Sequence, residues 1–126
     1  MILLDTCALL WLAHDQSRLS REVIEQIDDA SIVYISAITG FEVGIKYSGG
    51  KLHLPIPPEA WMEQIISHHD LSVINLDVSI CLQATSLPPI HRDPCDRFII
   101  ATALRHRLPV VTGDTRFQEY GIKVML

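Results

Sequence analysis

Met1-Ile2-Leu3-Leu4-Asp5-Thr6 begins as an unbroken apolar run and stops at an acid followed by a hydroxyl. Met1 to Leu4 is too short for a helix and reads as a strand buried on both faces, the kind a parallel sheet requires. Ala8, Leu9, Leu10, Trp11, Leu12 and Ala13 then lead into a buried helix. Pro109-Val110-Val111-Thr112-Gly113-Asp114, near the other end, is built the same way: a buried strand, a threonine, then an acid.

Working outward from these two runs, strands and helices alternate. Ser20 is placed to cap a helix with Leu19, Val23, Ile24 and Ile27 on one face and Arg21, Glu22, Glu25 and Gln26 on the other. Ile32 to Ile35 is the second strand; Ser36 caps the next helix, which carries Phe41, Glu42, Val43, Ile45 and Lys46 and ends at Gly49-Gly50. Pro55, Pro57 and Pro58 form a stiff loop, with Pro58 at the first position of a helix whose core face holds Ala60, Trp61, Ile65 and Ile66. Ser72 to Leu76 is the third strand, and Asp77 caps a short helix through Cys81 to Ala84 that Pro88-Pro89 closes. Asp93 caps a helix starting at Pro94, Pro109 to Thr112 is the fourth strand, Asp114 to Glu119 a turn or short helix, and Ile122 to Leu126 the fifth strand. This order predicts an α/β domain over residues 1–126, a mainly parallel five-stranded sheet with helices on both faces. Its ligand crevice is expected outside the carboxyl ends of the strands.

Composition narrows the function. The 126 residues are 48% hydrophobic and 20% charged, which excludes a disordered chain. No apolar run approaches the ~20 residues that cross a bilayer, and the N-terminus lacks the basic start of a secretory signal. Three cysteines, Cys7, Cys81 and Cys95, form no CxxC pair and suit reduced thiols, so a cytoplasmic protein is expected. The net charge of −5 argues against a non-specific nucleic-acid binder, unless the acids are gathered around a divalent cation.

They can be so gathered. Asp5 follows strand one, Glu42 lies in the helix after strand two, Asp96 is in the first turn of the helix before strand four, and Asp114 follows strand four. A parallel sheet can bring all four to one crevice, where like charges would raise one another's pKa unless a cation joins them. Carboxylates without His or Cys favour Mg²⁺ or Mn²⁺, ions that support phosphodiester hydrolysis. Plainer roles are open to each: Asp5 and Asp93 as helix caps, Asp96 as complement to a helix N-terminus, Asp114 as a turn residue, Glu42 as the i,i+4 partner of Lys46.

Several of these stretches, taken together, resemble the PIN-domain ribonucleases, and within them the VapC-type toxins of toxin–antitoxin pairs. They are Ile2-Leu3-Leu4-Asp5-Thr6, Ser36 to Lys46, Gly50-Lys51-Leu52, His91-Arg92-Asp93-Pro94-Cys95-Asp96-Arg97 and Val111-Thr112-Gly113-Asp114. The resemblance implies a PIN-like, doubly wound fold and a Mg²⁺- or Mn²⁺-dependent endoribonuclease cleaving single-stranded regions of RNA. It also implies a homodimer and neutralisation by a small VapB-like antitoxin that binds DNA. Asp5, Glu42, Asp96 and Asp114 become the catalytic, metal-binding quartet, supported by Thr6, Thr112 and the more distant Asp93. Phe41 stands where the family often has Trp, and Cys95 where Phe is usual.

Around the acids lie Lys46, Lys51, Arg92 and Arg97, candidates for holding RNA phosphates. Arg97 could instead brace the carboxylates. His91, Cys7 and Cys95 fit no zinc spacing, and Trp11 and Trp61 read as core or interface rather than base-stacking platforms. The apolar excess leaves surface for a second copy and for an antitoxin. Two alternatives compete with the nuclease: a catalytically silent PIN-like RNA-binding or scaffold protein, and a Mg²⁺-binding phosphorylation receiver, against which stand the lone Asp5 and the lack of a Lys-Pro after strand five.

Overall fold

The computed structural model describes all residues from Met1 to Leu126. Five parallel strands, β1 (Ile2–Leu4), β2 (Val33–Ser36), β3 (Leu71–Ile74), β4 (Val110–Val111) and β5 (Val124–Met125), lie in the order β3-β2-β1-β4-β5. Six helices accompany them: α1 (Thr6–His14), α2 (Arg21–Asp29), α3 (Ala37–Ser48), α4 (Pro58–His68), α5 (Val78–Ser86) and α6 (Pro94–His106). The third strand sits one to two residues earlier than the sequence suggests, and strands four and five are shorter. The run from Thr6 is helical at once, and a 3₁₀ turn at Gln16–Arg18 adds an element the periodicity does not show.

Alternation along the strands sorts the core into two layers. Ile2, Leu4, Val33 and Ile35 point to the side covered by Leu9 and Leu12 of α1, Val23 and Ile27 of α2, Val43 of α3 and Trp61 of α4. Leu3 and Val110 point to the other side, against Ile80 and Ala84 of α5, Ile99, Ile100 and Ala103 of α6, and Phe117. Helices on both faces follow from right-handed crossovers between parallel strands.

The strand order also settles one alternative. A receiver of the CheY type has the order 2-1-3-4-5, so the receiver reading is withdrawn. Here the chain winds outward from β1 through β2 and β3, then returns to place β4 on the other side of β1. The reversal point lies between β1 and β4, and the crevice outside their carboxyl ends is where such sheets bind ligands. Asp5 leaves β1 there, and Thr112, Gly113 and Asp114 leave β4 there.

Caps hold these exits in place. The Asp5 carboxylate accepts the Ala8 N–H at 2.8 Å, Ser36 caps α3 through the Ile38 N–H at 3.1 Å, and Asp93 caps α6 through the Cys95 N–H at 2.9 Å with Pro94 behind it. Gly113 answers a packing demand. A Cβ at this position would lie 2.8 Å from the Trp11 indole. Gly113→Ala is therefore expected to destabilise the protein by about 1–3 kcal/mol, as overpacked sites do. Combination with Trp11→Leu should recover part of the loss, measured by urea unfolding; equal losses in the single and double variants would refute the steric account.

Candidate active site

Three of the four candidate acids line one open pocket. Asp5, Asp96 and Asp114 share its wall with Cys7, Trp11, Thr112, Gly113, Thr115 and Arg116. Glu42 is not part of that wall, yet its charge is felt at both Asp5 and Asp96, so it lies within electrostatic reach of them. The four carboxylates named from the sequence are thus neighbours across β1, α3, α6 and the exit of β4.

Asp5 is the most enclosed of them, with 7% of its surface exposed. It enters none of the ion pairs in the protein. Burial raises its pKa, hydrogen bonds from Thr112 and the Ala8 N–H oppose the rise, and the Glu42 and Asp114 charges add to it. The Thr112 hydroxyl accepts the Asp114 N–H at 3.0 Å, which leaves its own proton for Asp5. Thr112 therefore supports two of the acids. Thr6 does something else: its hydroxyl meets that of Thr39 at 3.1 Å in a buried contact that ties α1 to α3.

Glu42 accepts an ion pair from Lys46 at 3.2 Å through Oε2, the i,i+4 partnership its spacing allows. Its other oxygen, Oε1, is buried without any hydrogen-bond partner. An unpartnered buried carboxylate oxygen is costly, so the ion pair alone does not account for Glu42. Asp96 is half-buried and pushed up to about 6, by burial first and then by Asp93, Glu42 and Asp5, with His91 pulling the other way. Asp93 faces solvent, and its contribution to Asp96 is electrostatic.

Asp114 is the exception. Arg116 grips it, His91 Nε2 reaches it at 2.8 Å, and together they hold it well below the usual carboxylate range. His91 is buried, and its Nδ1 lies 2.8 Å from the Tyr120 hydroxyl, which also accepts the His91 N–H at 3.0 Å. A carboxylate only accepts, so His91 Nε2 donates to Asp114. His91 is thereby a support for Asp114 rather than a zinc ligand.

The basic residues divide. Arg97 uses Nε, Nη1 and Nη2 on the carbonyls of Ala84, Leu87, Pro88 and His91 at 2.8–3.0 Å. It pins the loop between α5 and α6 with four of its five N–H donors, so its main task is to hold backbone carbonyls, in place of the phosphate contact expected from the sequence. Lys46 is committed to Glu42, whereas Lys51 and Arg92 are exposed. Tyr120 and the role of His91 escape a reading of the sequence, because their contacts depend on how the 3₁₀ helix Thr115–Tyr120 folds back beneath the loop at Ile90-His91, whereas Arg116, only two residues from Asp114, is a missed partner that its spacing could have suggested.

No three His, Cys, Asp or Glu side chains close on a point that would enclose an ion. An ion held by these acids would therefore reach some of them through its bound water, as Mg²⁺ readily does. The all-oxygen donor set, the unpaired buried Asp5 and the orphaned Glu42 oxygen fit such an ion.

Residues 2–123 match the family model of the PIN domain. The chain belongs to the PIN-domain family. A PIN-domain relative, Ribonuclease VapC22 of Mycobacterium tuberculosis (strain ATCC 25618 / H37Rv), is 30% identical over 120 residues, 94% of this chain and 91% of that protein. Among solved structures, FitAcB from Neisseria gonorrhoeae superposes with a TM-score of 0.67 at 26% identity, covering 100% of this chain and 97% of its own. VapBC2 from Rickettsia felis, bound to a DNA fragment from its promoter, gives 0.71 at 16% identity over 98% of this chain and 97% of the other, a likeness of fold.

The raised carboxylates set a pH dependence. Asp96 titrates near 3.8 when unfolded and near 6 in the fold, so the folded state binds more protons between those values and stability falls as pH rises through that window. Metal-free protein should accordingly show a falling Tm from about pH 4 to 6 in chelator, and Asp96→Asn should flatten that fall. A wild-type profile that rises through the window, or one unchanged in Asp96→Asn, would contradict the shift.

Proposed function

We propose that this PIN-domain protein is a divalent-metal-dependent endoribonuclease of the VapC toxin kind, cleaving single-stranded regions of cellular RNA and restrained by a small antitoxin. One observation carries the reading: Asp5 is a buried carboxylate at the reversal point of the sheet, with two further acids on the same pocket wall and no cation of the protein paired to it. Such a group either keeps a proton or, once ionised, is stabilised by a positive charge from outside the chain. The name of the M. tuberculosis relative, a ribonuclease, supports the substrate class.

Asp5, Glu42, Asp96 and Asp114 would hold Mg²⁺ or Mn²⁺. The ion would supply a hydroxide near neutral pH and stabilise the charge developing on the phosphodiester. The chain's own residues do the rest. Thr112 steadies Asp5 and Asp114, Tyr120 and His91 fix the orientation of Asp114, and the carbonyls gathered by Arg97 hold the loop that delivers Asp93 and Asp96. Lys51 and Arg92, both exposed, would take flanking phosphates.

Partners follow the same reading. Solved relatives include a toxin–antitoxin complex from Klebsiella pneumoniae and VapBC from Salmonella typhimurium bound to DNA. We infer a homodimer and a VapB-like antitoxin here as well. Phe41 and Ile45 on α3, and Val78 and Leu82 on α5, are i,i+4 apolar pairs left open to solvent, and they offer surface for protein partners. No helix is long and apolar enough to cross a membrane; the cytoplasmic location inferred here follows from the proposed RNA substrate alone.

Asp5→Asn keeps the shape of the side chain and removes its charge. Cleavage of unstructured RNA with Mg²⁺ or Mn²⁺ should fall by orders of magnitude, with Tm unchanged or raised in chelator because repulsion is relieved. Chelator-resistant cleavage by the wild type, or full activity in Asp5→Asn, would sink the assignment. Expression of the chain alone should arrest growth, and co-expression of an adjacent short reading frame with a DNA-binding N-terminus should restore it; harmless soluble expression would contradict the toxin role.

A further inference from the structure

A carboxylate offers about four lone-pair positions on its two oxygens, and those of Asp114 are all filled from within the chain. Oδ1 accepts the Arg116 backbone N–H at 3.0 Å and the Arg116 Nε–H at 3.1 Å. Oδ2 accepts from His91 Nε2 at 2.8 Å and from Arg116 Nη2 at 2.9 Å. The four donors are not equivalent. The backbone N–H belongs to the 3₁₀ helix, and the His91 ring is buried between Asp114 and Tyr120. Neither can leave without local unfolding. The guanidinium can, because the Arg116 side chain is 57% exposed on a flexible stem.

An ion entering the pocket toward Asp114 meets a cation already in its place. The bidentate fork satisfies the carboxylate fully, and a hard cation must have at least one of those lone pairs to itself. Arg116 also lines the pocket that Asp5 and Asp96 line, so a guanidinium freed from Asp114 remains at the pocket rather than leaving the site. An exposed pair of this kind is weakly held, which allows exchange.

We propose that Arg116 is an internal placeholder for the metal: it occupies Asp114 in the metal-free protein, is displaced when a divalent ion binds, and is thereby released to hold an RNA phosphate beside the reacting bond. The inference rests on the nuclease reading above and adds order to it. Metal binding and Arg116 release are one equilibrium, so each ligand helps the other. A phosphate that keeps the guanidinium off Asp114 tightens the metal, and the metal readies Arg116 for phosphate. The protein is self-quenched until an ion and RNA arrive together.

The test uses the full chain and needs no turnover. Mn²⁺ is titrated calorimetrically into wild type, Arg116→Ala and Asp5→Asn, and the Arg116 Nε–H is followed by ¹⁵N-edited NMR as diamagnetic Mg²⁺ is added to wild type. Arg116→Ala should bind Mn²⁺ roughly 5-fold or more tighter than wild type. The same variant should bind a non-cleavable RNA analogue less tightly at saturating Ca²⁺. The Arg116 Nε–H signal should be protected without metal and exchange freely with it. Equal or weaker Mn²⁺ binding in Arg116→Ala, or a protected signal that persists at saturating Mg²⁺, overturns the placeholder and leaves the nuclease reading standing. Mn²⁺ binding that is absent, or indifferent to Asp5→Asn, overturns the nuclease reading and this inference with it. The NMR arm reads the wild type, so the result does not hang on how the variant folds.

Discussion

Everything at the carboxyl edge of this sheet is arranged around a buried negative charge at Asp5. A carboxylate in that position is unfavourable unless hydrogen bonds and a cation compensate it, and the chain supplies only the hydrogen bonds. One oxygen caps α1 through the Ala8 N–H, and Thr112 contributes from the neighbouring strand. The fold therefore carries a charge deficit at its reversal point. That deficit sets this edge apart from a packed strand end, and Glu42 with its orphaned buried oxygen and the half-buried Asp96 deepen it.

The supports are layered outward from that deficit. Thr112 bridges Asp5 and the Asp114 N–H; His91 reaches Asp114 and is itself held by Tyr120, while its own carbonyl accepts from Arg97. Arg97 draws in the carbonyls of the loop before Asp93, whose cap starts the helix bearing Asp96. Two acids from distant parts of the chain, Asp96 and Asp114, are thus positioned by a shared set of contacts centred on His91. Preorganisation of this sort would fix the oxygens of both acids before an ion arrived.

Sequence reading reached the acids and missed most of what surrounds them, for a physical reason. Strand ends, caps and helical spacing are local, so Asp5, the Asp93 cap and the Glu42–Lys46 pair were all visible from neighbours within four residues. The destination of a long flexible side chain is not local. Arg97 looked like a phosphate contact because its sequence neighbours are charged, and only the path of the α5–α6 loop shows it surrounded by carbonyls. Tyr120 carried no signal, since its value lies in a contact with a residue 29 positions earlier. The strand order, too, became legible only in three dimensions, although the alternation of strands and helices had already fixed the parallel class.

The net charge of −5 takes on a different meaning once the cations are located. Near the pocket Lys46 is held by Glu42 and Arg116 by Asp114, while Arg97 is enclosed by backbone; farther out Arg21 sits by Glu25 and Arg18 over the Trp11 ring. In the metal-free state Lys46 and Arg116 serve the protein's own carboxylates and Arg97 its backbone, which leaves the exposed Arg92 and Lys51 as the unpaired cations nearest the acids in sequence. On the proposed reading, attraction for a polyanion stays small until a divalent ion changes those pairings, because the same groups cannot neutralise carboxylate and phosphate at once. An acidic composition is therefore compatible with an RNA substrate, provided that the metal brings the charge that makes the site receptive.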